Sequence, residues 1–236
     1  MEIVVTHLTR MAKGFCCAAG IELATGKLIR ALQRPYSGMD SRLTTAYLWS
    51  QGGPFKIGNV VDLGITTPFP NPPESEDHFF NPANAKVVSA YSPIQLWSLL
   101  RTQAKNSLVE IFGINPSRRR VSLFIPKSAG THSLGFLSMH KRGKLSISKG
   151  LNESKIRFEC FIDEKWTNLS VTCVNLYEDD FVTPDEAKVT AMAEAIDKYA
   201  RSGRVIIGLG LTRPFAEYEG GDAVHWVQIT GIHIRT

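Results

Sequence analysis

The chain has 236 residues, of which 43% are hydrophobic and 21% charged, and its net charge is +5. These proportions are ordinary for a soluble globular protein, and no window approaches the roughly 18 apolar residues that a transmembrane helix needs. We expect no secretory signal at the N-terminus, and the four cysteines show neither CxxC spacing nor a disulfide framework. The expected location is therefore a reducing cytoplasm.

The first third of the sequence has the pattern of β-strands. Apolar runs cover residues 2–8, 15–23 and 27–33, and the turn at Thr25-Gly26 predicts a hairpin between the last two. A short helix is expected within 43–50 and another strand over 56–65. Residues 68–82 contain five prolines, which predict a surface loop or linker.

The second half returns to strands between two helices. Ser92 and Pro93 predict a helix start, and that helix is expected to end near Asn106. Thr183 and Glu186 predict a capping box for a second helix, over 184–202. Further strands are expected at 120–126, 134–140, 144–148, 155–163, 168–177, 204–211 and 225–234.

This element order predicts a mainly β protein with two principal helices, folded as two small OB-like barrels. Strands and helices do not alternate, which argues against a doubly wound sheet. We expect the first barrel to comprise residues 1–90 together with the C-terminal strands of 204–236. The second, basic barrel would comprise 91–203 and carry the helix 184–202.

Arginine and histidine residues lie within or beside apolar strands at both ends of the chain, where a buried charge is costly unless it is paired. The two end motifs are therefore expected to meet around one polar ligand. Arg213, held extended by Pro214 beside Phe215, is suited to a phosphate or a base, although a surface arginine at a strand end has the same pattern. The repeat Gly208-Leu209-Gly210 favours a strand over a phosphate loop.

The cysteines and histidines leave alternatives open. Buried cysteines usually act as small hydrophobic residues, but a thiolate at Cys16 or Cys17 could attack an electrophilic carbon if His7 or an arginine lay near it. Cys160 and Cys173 are expected in the core. His7, His225 and His233 show no metal-binding spacing, so hydrogen bonding is favoured over a metal site.

Positive charge is concentrated in the middle of the chain. Residues 101–157 contain 12 lysines and arginines against two acidic residues, so this segment carries +10 and the rest of the chain −5. Such an excess predicts contact with a nucleic-acid backbone, although a solvated basic face is the alternative. The candidate nucleic-acid-binding residues are Arg118, Arg119, Arg120, Lys141, Arg142 and Lys144.

The end motifs, residues 6–11, 14–21, 26–30, 208–215 and 225–233, resemble the bacterial dual-OB-domain family. The resemblance implies two OB barrels in one chain and a role in nucleic-acid modification or phage defence. Size and charge are also similar to small accessory proteins of 7-deazaguanine DNA-modification clusters. That similarity implies hydration of the nitrile of 7-cyano-7-deazaguanine in DNA to the 7-amido form, with no metal or organic cofactor.

By motif position, the resemblance carries over eight polar residues without establishing their individual roles. Under the DNA-modification hypothesis, Cys17, His7 and His225 are the candidate catalytic residues. The candidate substrate-binding residues are Arg10, Arg30, Arg213, Gln228 and His233. The expected partners are DNA and other proteins of the modification cluster, and no contact with a membrane is expected. The alternative function is a non-catalytic dual-OB protein that binds nucleic acid, which should carry exposed aromatic side chains on its strands.

Overall fold

The computed structural model describes residues 1–35, 41–150, 153–216 and 220–236, and the protein is mainly β. The strands of its first half are β1 (Glu2–Arg10), β2 (Phe15–Glu22), β3 (Leu28–Gln33), β4 (Leu43–Thr44), β5 (Asn59–Asp62), β6 (Thr67–Pro68), β7 (Asp77–Phe80) and β8 (Lys86–Ala90). They form one curled sheet in the order β6-β7-β3-β2-β1-β5-β8, with β4 paired to β2.

The strands of the second half are β9 (Ser117–Arg119), β10 (Ser122–Pro126), β11 (Leu134–Met139), β12 (Gly143–Lys149), β13 (Ser154–Ile162), β14 (Lys165–Val171), β15 (Val205–Leu211) and β16 (Val224–Ile234). Their order is β11-β15-β16-β14-β13-β12, and β10 joins β16 to β9. The two curled sheets are consistent with two OB-like barrels. β15 and β16 pair within the second sheet, whereas we expected residues 204–236 to complete the first barrel.

Three α-helices accompany the sheets: α1 (Pro93–Gln103), α2 (Leu108–Phe112) and α3 (Glu186–Tyr199). A capping box of Ser92 and Gln95 begins α1, as the Ser-Pro pattern indicates. Helix α3 begins later than predicted, because the Asp185 side chain accepts from the backbone N–H of Lys188 and makes Asp185 the N-cap.

Two segments of the first sheet differ from the sequence-based expectation. In place of a helix over 43–50, the chain forms β4 and two short 3₁₀ turns. The proline-rich segment contains β6 and β7, and β7 pairs in parallel with β3. Asp77 opposes Arg30 in that pairing and binds it, while Phe80 is buried, so long-range contacts hold a strand that the local sequence does not favour.

The two sheets pack against each other. A small apolar cluster joins Ile21 of the first sheet to Phe136 and Ile206 of the second through Trp97 and Leu100 of α1. β1 lies against β16. The N-terminal and C-terminal motifs therefore meet at the junction of the two sheets.

Candidate functional site

A cavity of about 420 Å³, which we call the junction pocket, lies where β1, β2 and β3 face β15 and β16. Its volume falls within the range of ligand sites, about 300–1,000 Å³. Six of the eight polar residues singled out in the end motifs line it: His7, Arg10, Cys17, Arg30, Arg213 and Gln228. His225 and His233 do not line it.

A charge network organises one wall of the junction pocket. The buried Asp77 carboxylate accepts from Arg30 Nε at 2.5 Å and from Arg213 Nη2 at 2.8 Å. Arg213 also pairs with Glu74 at 3.0 Å. Burial opposes the charge of Arg30, but Asp77 outweighs it and the pKa of Arg30 is raised. Arg30 is therefore a permanently charged, fixed group.

Three buried polar atoms of the pocket lining have no hydrogen-bond partner among the described residues. They are His7 Nε2, Arg30 Nη2 and Thr230 Oγ1. Gly208 brings two of them close together, since a Cβ there would lie 3.0 Å from His7 Nε2 and 3.1 Å from Thr230 Oγ1. Buried polar groups are normally paired, so this set is suited to a ligand that supplies the missing partners.

His7 and His233 are both neutral at pH 7. Burial, and then the nearby His233, lower the pKa of His7 to about 3, while the Gly135 carbonyl acts in the opposite direction. Burial lowers the pKa of His233 to about 4. His7 can therefore hydrogen-bond a ligand, but it is not a cation at neutral pH.

The structure distinguishes the two adjacent cysteines. Cys16 packs in the core and its pKa is raised to about 12 by burial, whereas Cys17 is half-buried. Burial also raises the pKa of Cys17, although Arg30 and Arg213 act against this. Both cysteines line the junction pocket, but the Cys16 thiol donates to the Thr44 carbonyl at 3.3 Å, so Cys17 is the more accessible thiol of the pair. It is protonated at neutral pH.

His225 is a structural residue in this arrangement. It is 2% exposed, and its Nδ1 donates to the carbonyl of Thr212 at 2.9 Å. The backbone N–H of the adjacent Trp226 donates to Thr212 Oγ1. These bonds fix the segment before Arg213, so the sequence-based expectation of a catalytic His225 does not fit its position.

A second cavity of about 430 Å³, the outer groove, runs along the exposed face of the second sheet. Burial alternates along β13 and β14, so one side chain in two points outward. Outward-pointing Arg157, Asn168 and Ser170 line the groove with Gln228 of β16. The groove and the junction pocket share Arg10, Met11, Ala12, Thr212, Phe215 and Gln228. The two cavities are therefore adjacent and share part of one wall.

Aromatic side chains flank the outer groove at both ends. At one end, Phe161 and Trp166 stand opposite each other across the β13–β14 hairpin with ring centroids 5.7 Å apart, and Trp166 is 62% exposed. At the other end, Trp226 contacts Phe124 and Phe215. These aromatic residues are far apart in the sequence, but the fold brings them to the outward face of the second sheet.

Three of the predicted basic residues lie beside these aromatic groups. Lys141 Nζ is 3.9 Å from the centroid of the Phe161 ring, and Arg118 donates to the carbonyl of Trp166 at 2.8 Å. The guanidinium of Arg119 lies 5.5 Å from the Trp226 ring. Cations held against aromatic rings next to a groove are suited to phosphates and stacked bases.

The other three basic residues are placed differently. Arg120 is exposed in the β9–β10 turn with φ of 55°. Lys144 is exposed on β12, opposite Glu159 of β13. Arg142 pairs with Asp197 of α3 at 3.0 Å. Arg142 is therefore engaged with α3, whereas Arg120 and Lys144 face solvent.

A family model described as a dual OB-containing domain matches residues 1–232. The chain belongs to this dual-OB family. No curated protein matches the sequence. OB domains commonly bind nucleic acids, which agrees with the aromatic and basic groups along the outer groove of this dual-OB chain.

Within residues 1–35, 41–150, 153–216 and 220–236 of the dual-OB chain, no group of three or more histidine, cysteine, aspartate or glutamate side chains is placed to hold a metal ion. The same residues include no helix with the length and apolar character needed to cross a membrane.

Sequence reasoning missed several residues of this dual-OB site. Asp77 and Glu74 lie in the segment expected to be a loop, and Thr230 has no local signal because a threonine is common in any strand. The positions of Phe161 and Trp166 in the sequence could have predicted that their rings meet. They flank the turn at 163–164, so a tight hairpin there places the two rings directly opposite.

Proposed function

We propose that the protein binds single-stranded or unpaired DNA along the outer groove and receives one base of that strand in the junction pocket. The observation that carries this proposal is that the two cavities adjoin, with Arg10, Thr212, Phe215 and Gln228 in the lining of both. A strand that stacks on the exposed face has a direct path into the pocket, so that one base can leave the stack.

The contents of the two cavities support this division of roles. The groove has aromatic rings with cations beside them, which favour stacking and phosphate contacts without base selectivity. The junction pocket has an apolar lining with few polar atoms, among them the unpartnered groups of His7, Arg30 and Thr230. A single planar base with hydrogen-bonding edges matches such a pocket.

Binding is tested by fluorescence anisotropy with a labelled oligodeoxynucleotide of about 16 nucleotides, the upper range for one OB fold. We expect the single strand to bind more tightly than the matching duplex, and the affinity to fall steeply between 50 and 200 mM salt. Equal affinity for single and double strands, or binding that salt does not affect, would contradict the proposal.

A second candidate function is hydration of the nitrile of a 7-cyano-7-deazaguanine base held in the junction pocket. The observation that favours it is the half-buried Cys17 thiol at the pocket, within the field of Arg30 and Arg213. The thiol would add to the nitrile carbon and pass its proton to the nitrogen, giving a thioimidate. Addition of water and release of the thiol would give the amide.

Each group has a defined role in that reaction. Because the pKa of Cys17 is raised, the thiol brings both the sulfur nucleophile and the proton. Arg30 Nη2 is available to stabilise the developing negative charge on nitrogen. Neutral His7 can orient the attacking water through its unpartnered Nε2.

The activity is tested by incubating DNA that carries the cyano base with purified protein and analysing the digested nucleosides by mass spectrometry. Catalysis predicts a gain of one water in the wild type, none with Cys17→Ala, and a gain retained in Cys16→Ala. Unmodified nucleoside from wild-type protein that binds the DNA would refute the catalytic candidate and leave the binding proposal intact.

A further inference from the structure

Arg10 stands in the wall that the outer groove and the junction pocket share. Its backbone N–H donates to the carbonyl of Thr172 at 2.8 Å, which fixes the end of β1 to the second sheet. The guanidinium lies 4.7 Å from the centroid of the Tyr177 ring. Stacking on this ring holds the guanidinium plane and leaves its N–H edge free for an anion.

That anion is the carboxylate of Glu153. Arg10 Nη1 donates to Glu153 Oε1 at 3.0 Å, and Nη2 contacts the same oxygen. The other oxygen of Glu153 lies 3.8 Å from Lys155 Nζ. One carboxylate thus bridges two cations on the wall of the outer groove, at the point where the groove meets the pocket.

A third cation of the same wall, Arg157, is not available to a ligand in this way. Its Nε donates to Asn168 Oδ1 at 2.7 Å, its Nη1 to Ser170 Oγ at 2.6 Å and its Nη2 to the Asn168 carbonyl at 2.8 Å. Neutral groups of the sheet therefore hold three of the five N–H donors of Arg157, whereas Arg10 and Lys155 share a carboxylate that can move.

We propose that Arg10 and Lys155 form a phosphate subsite for a DNA strand, and that Glu153 occupies this subsite in the unbound protein until a phosphodiester replaces it. The inference rests on the proposed binding function. Carboxylate and phosphate oxygens fit the arginine fork in the same way, so one can exchange for the other. Glu153 has a side-chain exposure of 33%, so it can turn into solvent when it is displaced.

The position of the subsite explains what it would do. A base that enters the junction pocket must leave its own phosphate near the opening, and Arg10 lines that opening on both sides. Glu153 then acts as an internal competitor that lowers affinity for a strand whose phosphate reaches Arg10, because that phosphate must first displace the carboxylate.

The test compares Glu153→Gln with Glu159→Gln, using anisotropy at low salt with the same labelled oligodeoxynucleotide. Both substitutions remove one negative charge, and Glu159 lies exposed on β13 without a contact to Arg10. We expect Glu153→Gln to bind about tenfold more tightly than the wild type and Glu159→Gln at most about twofold. In an Arg10→Gln background, the gain from Glu153→Gln should fall to at most the twofold expected of Glu159→Gln.

Equal gains from the two glutamine variants, or a Glu153→Gln gain that persists in full without Arg10, would overturn the subsite. Competition by inorganic phosphate at constant ionic strength would overturn its assignment to a strand phosphate, since it would show a free-anion site instead. Failure of the wild type and of every variant to bind DNA would refute the proposed function itself.

Discussion

Glu76 and Ser133 join the two halves of the chain through a buried pair of hydrogen bonds. The backbone N–H of Ser133 donates to Glu76 Oε1 at 2.8 Å, and the Ser133 hydroxyl donates to Oε2 at 2.9 Å. Leu134 N–H adds a third bond at 3.1 Å. A carboxylate of the first sheet thus holds the start of β11, whose partner β15 leads into the segment that carries Arg213.

Replacing Glu76 should destabilise the whole protein. Glu76→Ala leaves two buried N–H groups without an acceptor, and we expect the free energy of unfolding to fall by about 2–4 kcal/mol. Ser133→Ala removes only the hydroxyl contact and should cost about 1 kcal/mol. Urea denaturation measures both values, and equal losses would contradict this account of the junction.

Stability should also fall in acid because of the buried histidines. The folded-state pKa values of His7 and His233, about 3 and about 4, lie below the ordinary value of 6.5. Their contribution is therefore complete above pH 6.5 and is lost as the pH falls towards 4. At pH 5 the loss is about 2 kcal/mol for each histidine. His7→Gln should reduce the loss in the free energy of unfolding that urea denaturation measures between pH 7 and pH 5. An unchanged loss would refute the contribution of His7.

Thr230→Val separates ligand binding from folding. The Thr230 hydroxyl is buried and has no hydrogen-bond partner in the part of the chain that the structure describes. Its removal should therefore leave the free energy of unfolding unchanged or raise it by up to about 1 kcal/mol. If a base completes the site, oligonucleotide affinity should fall about fivefold. A stable variant with wild-type affinity would show that the hydroxyl does not face the ligand.

Trp166 should be the main stacking residue of the outer groove. Trp166→Ala is expected to weaken single-strand binding by about 1–3 kcal/mol without affecting folding, because the side chain is 62% exposed. Trp49 provides the matched control, since it is 52% exposed and lies in a short 3₁₀ turn of the first half of the chain, not on the β13–β14 hairpin. Equal effects of Trp166→Ala and Trp49→Ala on affinity would refute a specific role for Trp166.

The Cys17 thiol should react slowly at neutral pH. Since burial raises its pKa, the reactive thiolate is scarce at pH 7 and increases as the pH rises beyond 9. Iodoacetamide labelling followed by peptide mass spectrometry should show Cys17 reacting before the buried cysteines, at a rate that increases with pH. Bound oligonucleotide should protect Cys17, and labelling that bound DNA leaves unchanged would place the base outside the pocket.

Much of the fold follows from local sequence patterns. The hairpin of β2 and β3, the helices α1 and α3, and the mainly β character all depend on neighbouring residues, such as the Ser92 cap. The meeting of the end motifs was also expected, because arginines and histidines in apolar strands need polar partners. The pairing of β16 could not be predicted, since it depends on strands far away in the sequence.

The site was only partly predictable for the same reason. The residue types of Arg30 and Arg213 indicated an anion or a base, but their common partner Asp77 lies in a segment rich in proline. His225 and His7 both lie in apolar strand patterns, so the sequence did not distinguish them. In the structure the His225 ring donates to the Thr212 carbonyl, and His7 lines the junction pocket. Which way a strand side chain points depends on register, and register is set by tertiary packing.

The central position of β16 determines the order in which the molecule can be made. The first sheet has all its strands by Ala90, so it can assemble while the ribosome is still translating the rest. The second sheet has β16 between β15 and β14, with β10 also attached, and this strand comes after all of them. A nascent chain that ends before Val224 therefore holds an unclosed second sheet, and premature termination there yields an aggregation-prone product.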